Sequence, residues 1–167
     1  MESRKQVVEA VFMSVLDYGD VIYKNATACS LKALDSVYHS ALRFITGDGY
    51  STHHCVLYSK VGWSSLTERR QNHWYLFIYK GIVGKLPGYI SDMLVWNSGP
   101  YQTRSNDCLM LKVPRFHSEL GKSAFSYGAP TSWNKLQCKI KMNSTLSYNQ
   151  FRSLIKNLPM SICTCFK

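Results

Sequence analysis

The 167-residue chain is 46% hydrophobic and 13% aromatic, a composition that excludes a disordered polypeptide and supports a buried core at this length. No apolar run reaches the roughly 20 residues that span a bilayer, and the N-terminal stretch Met1 to Phe12 shows no secretory pattern. The expectation is an intracellular protein, nuclear or cytoplasmic, neither secreted nor membrane-bound. The formal net charge of +10 is uneven: residues 1–83 carry nine Lys/Arg against seven Asp/Glu, and residues 84–167 carry eleven against three. A basic half points to an anionic partner, nucleic acid first, with an unengaged basic face as the other reading.

Apolar spacing predicts a first helix over residues 5–23, with Val8, Val11, Phe12, Val15 and Ile22 on one stripe. A second helix follows over residues 30–46, with Leu31, Leu34, Tyr38, Ala41, Leu42 and Ile45 on its inner face. Ser30 suits its N-cap and Gly47 its left-handed end. The short connection between the two predicts antiparallel packing. One helical turn fits residues 55–58. Ser65 and Glu68 form a capping box that opens a third helix, running to about residue 83. Leu66, Trp74, Phe77 and Ile78 point inward, Arg69 and Arg70 lie on or near the polar side, and Gly84 and Pro87 end it. A shorter helix fits residues 89–96, before a break at residues 97–100.

Residues 108–113 are an apolar run ended by Pro114 and read as a strand, with residues 123–127 as its hairpin partner and Gly121 in the turn. Pro130 suits the first position of a further helix. A last helix over residues 147–158 turns Phe151, Leu154, Ile155 and Leu158 inward. The expected fold class is mainly α: antiparallel helices, then a small β-hairpin and a C-terminal helix. The expected division is a helical domain over residues 1–96 and a basic segment over residues 97–167.

Chemistry-bearing patterns are sparse. A polymerase holds two divalent ions on paired acidic residues, and no adjacent carboxylates occur. Asp17 and Asp20 lie three apart and could share an ion, but they read as solvated or capping carboxylates. His53, His54 and Cys55 resemble half of a zinc site. Adjacent residues converge poorly on one ion, and the second pair, Cys163 and Cys165, is remote, so surface histidines are expected. There is no nucleophile elbow and no phosphate-cradling glycine loop. His39, His73 and His117 show no motif spacing, and the six cysteines read as free thiols. The expectation is no catalytic residue, no metal and no cofactor.

The positive signal is basic and aromatic. From Arg104 to Lys156, nine cations including Arg152 face only Asp107 and Glu119. Tyr101, Phe116, Phe125, Tyr127 and Trp133 are interleaved, although Phe125 and Trp133 also suit a core. Cations neutralise phosphates without reading sequence, and rings stack on unpaired bases. With Arg69, Arg70 and Lys80 as a second stripe, the expected contact set is Arg43, Arg69, Arg70, Lys80, Arg104, Lys112, Arg115, Lys122, Lys135, Lys139 and Lys141.

Several of these residues belong to a family pattern. The run Val15 to Tyr23, with Tyr18-Gly19 inside it, resembles the thumb-region opening of LINE-type non-LTR retrotransposon reverse transcriptases. Leu34 to Gly47 is similar to the helix that follows there, and Leu57, Gly62, Trp63, Leu66, Arg69 and Arg70 match the next segment. Lys85 to Tyr89, Tyr101 to Ser105, and Gly121 to Leu136 with its Ala-Pro and Trp-Asn pairs, also look familial. The resemblance runs from about Gln6 to Ile155. It implies a polymerase thumb plus the downstream C-terminal segment, which hold nucleic acid in the parent enzyme. The endonuclease, fingers and palm have no counterpart, so polymerase activity is not implied. The function expected is a non-catalytic remnant that binds the RNA or DNA backbone nonspecifically, with the missing palm as a further partner. The alternative is a helical protein–protein scaffold with no nucleic-acid role.

Overall fold

A computed structural model of the chain describes residues 1–97 and 108–158. They are mainly helical, and the helices run α1 Glu2–Val7, α2 Ser14–Asp17, α3 Asp20–Tyr23, α4 Ala28–Thr46, α5 His54–Val61, α6 Leu66–Ile82, α7 Gly88–Ser91, α8 Glu119–Ser123, α9 Phe125–Ile140 and α10 Tyr148–Asn157. A π-helical stretch, Val8–Met13, joins α1 to α2. No helix among the described residues is long and apolar enough to cross a membrane. The chain divides into two compact units within α6, Met1–His73 and Trp74–Leu158 among the described residues. The boundary expected at 96/97 therefore falls inside the second unit, because the latter half of α6 supplies that unit's core.

In the first unit the π stretch decides which face of the leading helix is buried. A π turn closes i to i+5, and the buried side chains are Val8, Met13 and Leu16, the first two five apart. The predicted stripe holds only in part: Val8 is buried and Phe12 partly buried, but Val11, Val15 and Ile22 are 66%, 74% and 87% exposed. The helix also breaks at Tyr18 and at Gly19, whose φ of 68° restarts it as α3. In α4, Thr27 rather than Ser30 is the N-cap, accepting from the Ser30 amide, and Gly47 ends the helix with φ 76°. Arg4 donates to the Phe44 carbonyl at 3.4 Å, which sets the start of α1 beside the end of α4 and makes the pair antiparallel. Val8, Met13, Leu16, Tyr38, Leu42, Ile45, Leu57, Val61 and Leu66 form this unit's core. The capping box of α6 is present, Ser65 and Glu68 each accepting the other's amide.

The second unit is built on stacked rings. Tyr79 of α6 lies 3.9 Å from Phe151 of α10 and 6.0 Å from Trp133 of α9, centroid to centroid, and all three are buried. Gly81 leaves room for Leu94, whose methyl would sit 2.7 Å from any added Cβ. The predicted hairpin does not form. Leu111 makes a single antiparallel bridge with Trp96, and residues 123–127 are largely helical. The reason is α9. Asn134 accepts the Leu111 amide and donates to the Leu111 carbonyl, both at 2.8 Å, and the Trp133 indole donates to the Leu109 carbonyl at 2.6 Å. The extended segment thus takes its partners from these side chains and from the backbone of Val95, Asn97 and Met142, not from residues 123–127. The same bridge holds Trp96 out of the helix expected over 89–96, of which only α7 forms. Pro130 lies inside α9 rather than at its start, the helix opening at Phe125. Ser147 and Gln150 cap α10 reciprocally, and Phe151 and Ile155 are buried as expected.

Candidate nucleic-acid interface

Charge separates along the same division. Residues 1–73 hold eight Lys/Arg and seven Asp/Glu. The described part of the second unit holds ten, namely Lys80, Lys85, Lys112, Arg115, Lys122, Lys135, Lys139, Lys141, Arg152 and Lys156, against Asp92 and Glu119.

Most cations of the first unit are engaged internally. Arg69 grips Asp17 through two nitrogens, Nε at 2.7 Å, and that carboxylate raises the guanidinium above its usual range. Arg70 is 6% exposed and reaches Asp35 at 3.3 Å. His73 Nδ1 bonds Asp20, which is buried, and Lys60 pairs with Asp48 at 2.7 Å. Arg69 and Arg70 therefore do not lie on an outward polar side: both are turned to acids on earlier helices. Arg43 stacks on Tyr50, its guanidinium carbon 4.9 Å from the ring centroid.

The second unit presents its cations outward. Lys112, Arg115, Lys135, Lys139, Lys141, Arg152 and Lys156 are exposed. Lys135 and Lys139 are one turn apart on α9, so they share a face. Lys122, also exposed, pairs with Glu119 at 2.6 Å, which raises its pKa. Arg104 and Tyr101 lie outside the described residues, as do Cys163, Cys165 and the segment 101–105.

Tertiary packing adds a cluster that the sequence did not single out. The Nζ atoms of Lys80 and Lys85 each lie 5.5 Å from the centroid of the half-buried Tyr148 ring. Tyr148 opens α10, and Arg152 and Lys156 follow at i+4 and i+8 on the same helical face. Two lysines, one ring and two further cations thus form a stripe. Of these Lys80 was in the expected set and Arg152 and Lys156 among the counted cations, but Lys85 and Tyr148 were missed. No local spacing links them, because they meet only when α6 and α10 pack. Among the expected rings, Trp133 is fully buried and Phe125 meets Trp74 and Phe77 edge-on at 5.7 and 5.8 Å. Phe116, 37% exposed, contacts Tyr127 edge-on at 6.1 Å.

Two groups of metal-ligating residues come together among the described residues. Asp17, Asp20 and His73 bring one ligand atom each within 4.8 Å of one another, and so do His53, His54 and Cys55. In the first group the carboxylates are engaged by Arg69 and His73. The second brings the side chains of three adjacent residues together.

No protein-family model, curated protein or solved structure matches the chain.

Proposed function

We propose that this chain is a non-catalytic, nucleic-acid-binding part of a LINE-type reverse transcriptase, gripping the sugar–phosphate backbone of RNA or DNA through its basic second unit. On this reading the antiparallel helices of residues 1–73 are of polymerase-thumb type, and the downstream unit supplies the phosphate contacts. The observation that carries it is the Lys80–Tyr148–Lys85 cluster, continued by Arg152 and Lys156, in a unit whose described acids are only Asp92 and Glu119. Such a surface attracts any phosphate chain and offers one ring for base stacking. The familial Trp-Asn pair serves the same unit, since Trp133 and Asn134 hold the segment that carries Lys112.

The test is binding of a labelled duplex and a labelled single strand at two salt concentrations. Affinity that falls with salt and tolerates sequence change supports the proposal. Affinity indifferent to salt rejects it.

A second reading rests on the leading helices. Val7, Val11, Val15, Tyr18 and Ile22 recur at helical spacing and are 57% to 87% exposed, an unpartnered apolar row. A protein–protein scaffold, or the docking face for a parent palm, would cover it. Size-exclusion chromatography separates the readings: a clean monomer at high protein concentration speaks against a self-associating scaffold.

A further inference from the structure

His53, His54 and Cys55 sit where the chain enters α5. His53 is extended (φ −64°, ψ 140°) and the two residues after it are helical. That change of backbone between neighbours swings consecutive side chains toward one another. The two imidazole centroids are 4.1 Å apart, and one donor atom from each of the three residues falls within 4.8 Å of the others. A tetrahedral zinc ion, with bonds of roughly 2.0–2.1 Å to nitrogen and 2.3 Å to sulfur, holds its donors roughly 3.3–3.8 Å apart. Closing the cluster on an ion therefore needs shifts on the order of 1 Å, which side-chain torsions supply. All three residues are half-buried, so an ion can arrive from solvent and still lose part of its hydration.

A third imidazole lines the cluster. The His39 ring stacks on His54 at 5.2 Å and bonds the Tyr58 hydroxyl at 2.6 Å, which fixes the wall of the cluster. An existing contact of His53 must be exchanged. His53 Nδ1 accepts the Cys55 amide at 3.4 Å, and a neutral imidazole has a single nitrogen lone pair. That bond is long, and replacing it with a metal–nitrogen bond loses little. In the Asp17, Asp20 and His73 group, by contrast, an incoming dication would have to displace the Arg69 guanidinium.

We propose that His53, His54 and Cys55 form a three-ligand site for a thiophilic first-row dication, zinc foremost, with the fourth position open to water. On binding, the Cys55 thiol loses its proton to solvent and its sulfur forms the metal bond, with no change of oxidation state.

Cobalt(II) reports both geometry and thiolate ligation, and it is titrated into the reduced full-length chain. The wild type is expected to develop tetrahedral ligand-field bands and a sulfur-to-cobalt charge-transfer band. Zinc should bleach both. Cys55→Ser is expected to lose the charge-transfer band, while Cys163→Ser/Cys165→Ser retains it. His53→Asn keeps a side-chain acceptor for the helix cap, and should weaken cobalt binding at least tenfold, taking roughly 10–100-fold as the scale for disturbed sites, with unchanged circular dichroism. A charge-transfer band that survives Cys55→Ser, that follows Cys163 and Cys165, or that never appears overturns the site, as does unchanged affinity in His53→Asn.

Discussion

Replacing Lys80 and Lys85 together by glutamine tests the proposed phosphate-binding stripe at its densest point. Both ammonium groups lie 5.5 Å from one ring centroid, so a nucleic-acid backbone that meets Tyr148 meets both cations. Each duplex phosphate neutralised contributes roughly 0.9 to the slope of log affinity against log salt, and each single-strand phosphate roughly 0.7. The double variant should therefore flatten the duplex slope by about 1.8 and the single-strand slope by about 1.4. Between 50 and 200 mM salt, the wild type should accordingly lose about tenfold more duplex affinity than the variant does. Fluorescence anisotropy with a labelled duplex across four salt concentrations measures this. Lys60→Gln is the control, because Lys60 belongs to the nearly neutral first unit and is paired with Asp48. Tyr148→Leu separates stacking from charge: it should cost about 1–3 kcal/mol on a single strand and leave the slope alone. A double variant with the wild-type slope, or a Lys60→Gln variant that flattens it equally, would refute the assignment of the interface to this stripe.

Asn134→Leu removes both partners of the Leu111 backbone, whose residue is 1% exposed. At about 1–3 kcal/mol for each buried group left unsatisfied, urea denaturation followed by tryptophan fluorescence should show a loss of roughly 2–5 kcal/mol; a loss under about 1 kcal/mol would contradict the bracketing role. Arg70→Met should cost about 1–2 kcal/mol rather than the 3–5 of a fully buried pair, because Asp35 is 34% exposed and can turn to water. The same variant should bind nucleic acid with an unchanged salt slope, and a flattened slope would return Arg70 to the contact surface. His39 has its pKa lowered in the folded state from an ordinary value near 6.5. The unfolded chain therefore binds the proton first, and stability is lost as pH falls through about 6.5 toward the folded value, then levels. Thermal melts from pH 8 to 5 should show this in the wild type and less of it in His39→Asn; identical profiles would remove His39 as the cause.

Local caps made some helix ends legible, although Thr27 takes the capping place expected of Ser30. Ser65 with Glu68 and Gly47 after Thr46 act within a few residues, and both are found as predicted. The face of the leading helix was not legible, because a π turn moves the register by one residue without any change in composition. Apolar residues at the ordinary helical spacing of Val11 and Val15 read as core while Met13 and Leu16 fill it. Pro130 misled in the opposite direction, since a proline that elsewhere begins a helix is here accommodated within one. The hairpin failed because the spacing of residues 108–113 cannot reveal that an amide on α9 will satisfy Leu111. The basic character of the latter half was legible from counting alone. The cluster around Tyr148 was not, since it depends on which helices meet.

The two jobs that cations perform in this chain are divided along a single helix. On α6, Arg69, Arg70 and His73 fall within the first unit, and Asp17, Asp35 and Asp20 are there to receive them. Two turns further on, Lys80 falls within the second unit, where the described acids are Asp92 and Glu119, and it lies over an aromatic ring with Lys85 as its companion. A cation that has a carboxylate partner gives up that bond before it can hold a phosphate; one poised over a ring gives up much less. On the proposed function, the supply of aspartate, not the placement of lysine and arginine, therefore determines which part of the chain is available to nucleic acid. Lys80→Glu should accordingly weaken binding more than Arg69→Glu at equal thermal stability, although both replace one positive charge on the same helix by one negative charge.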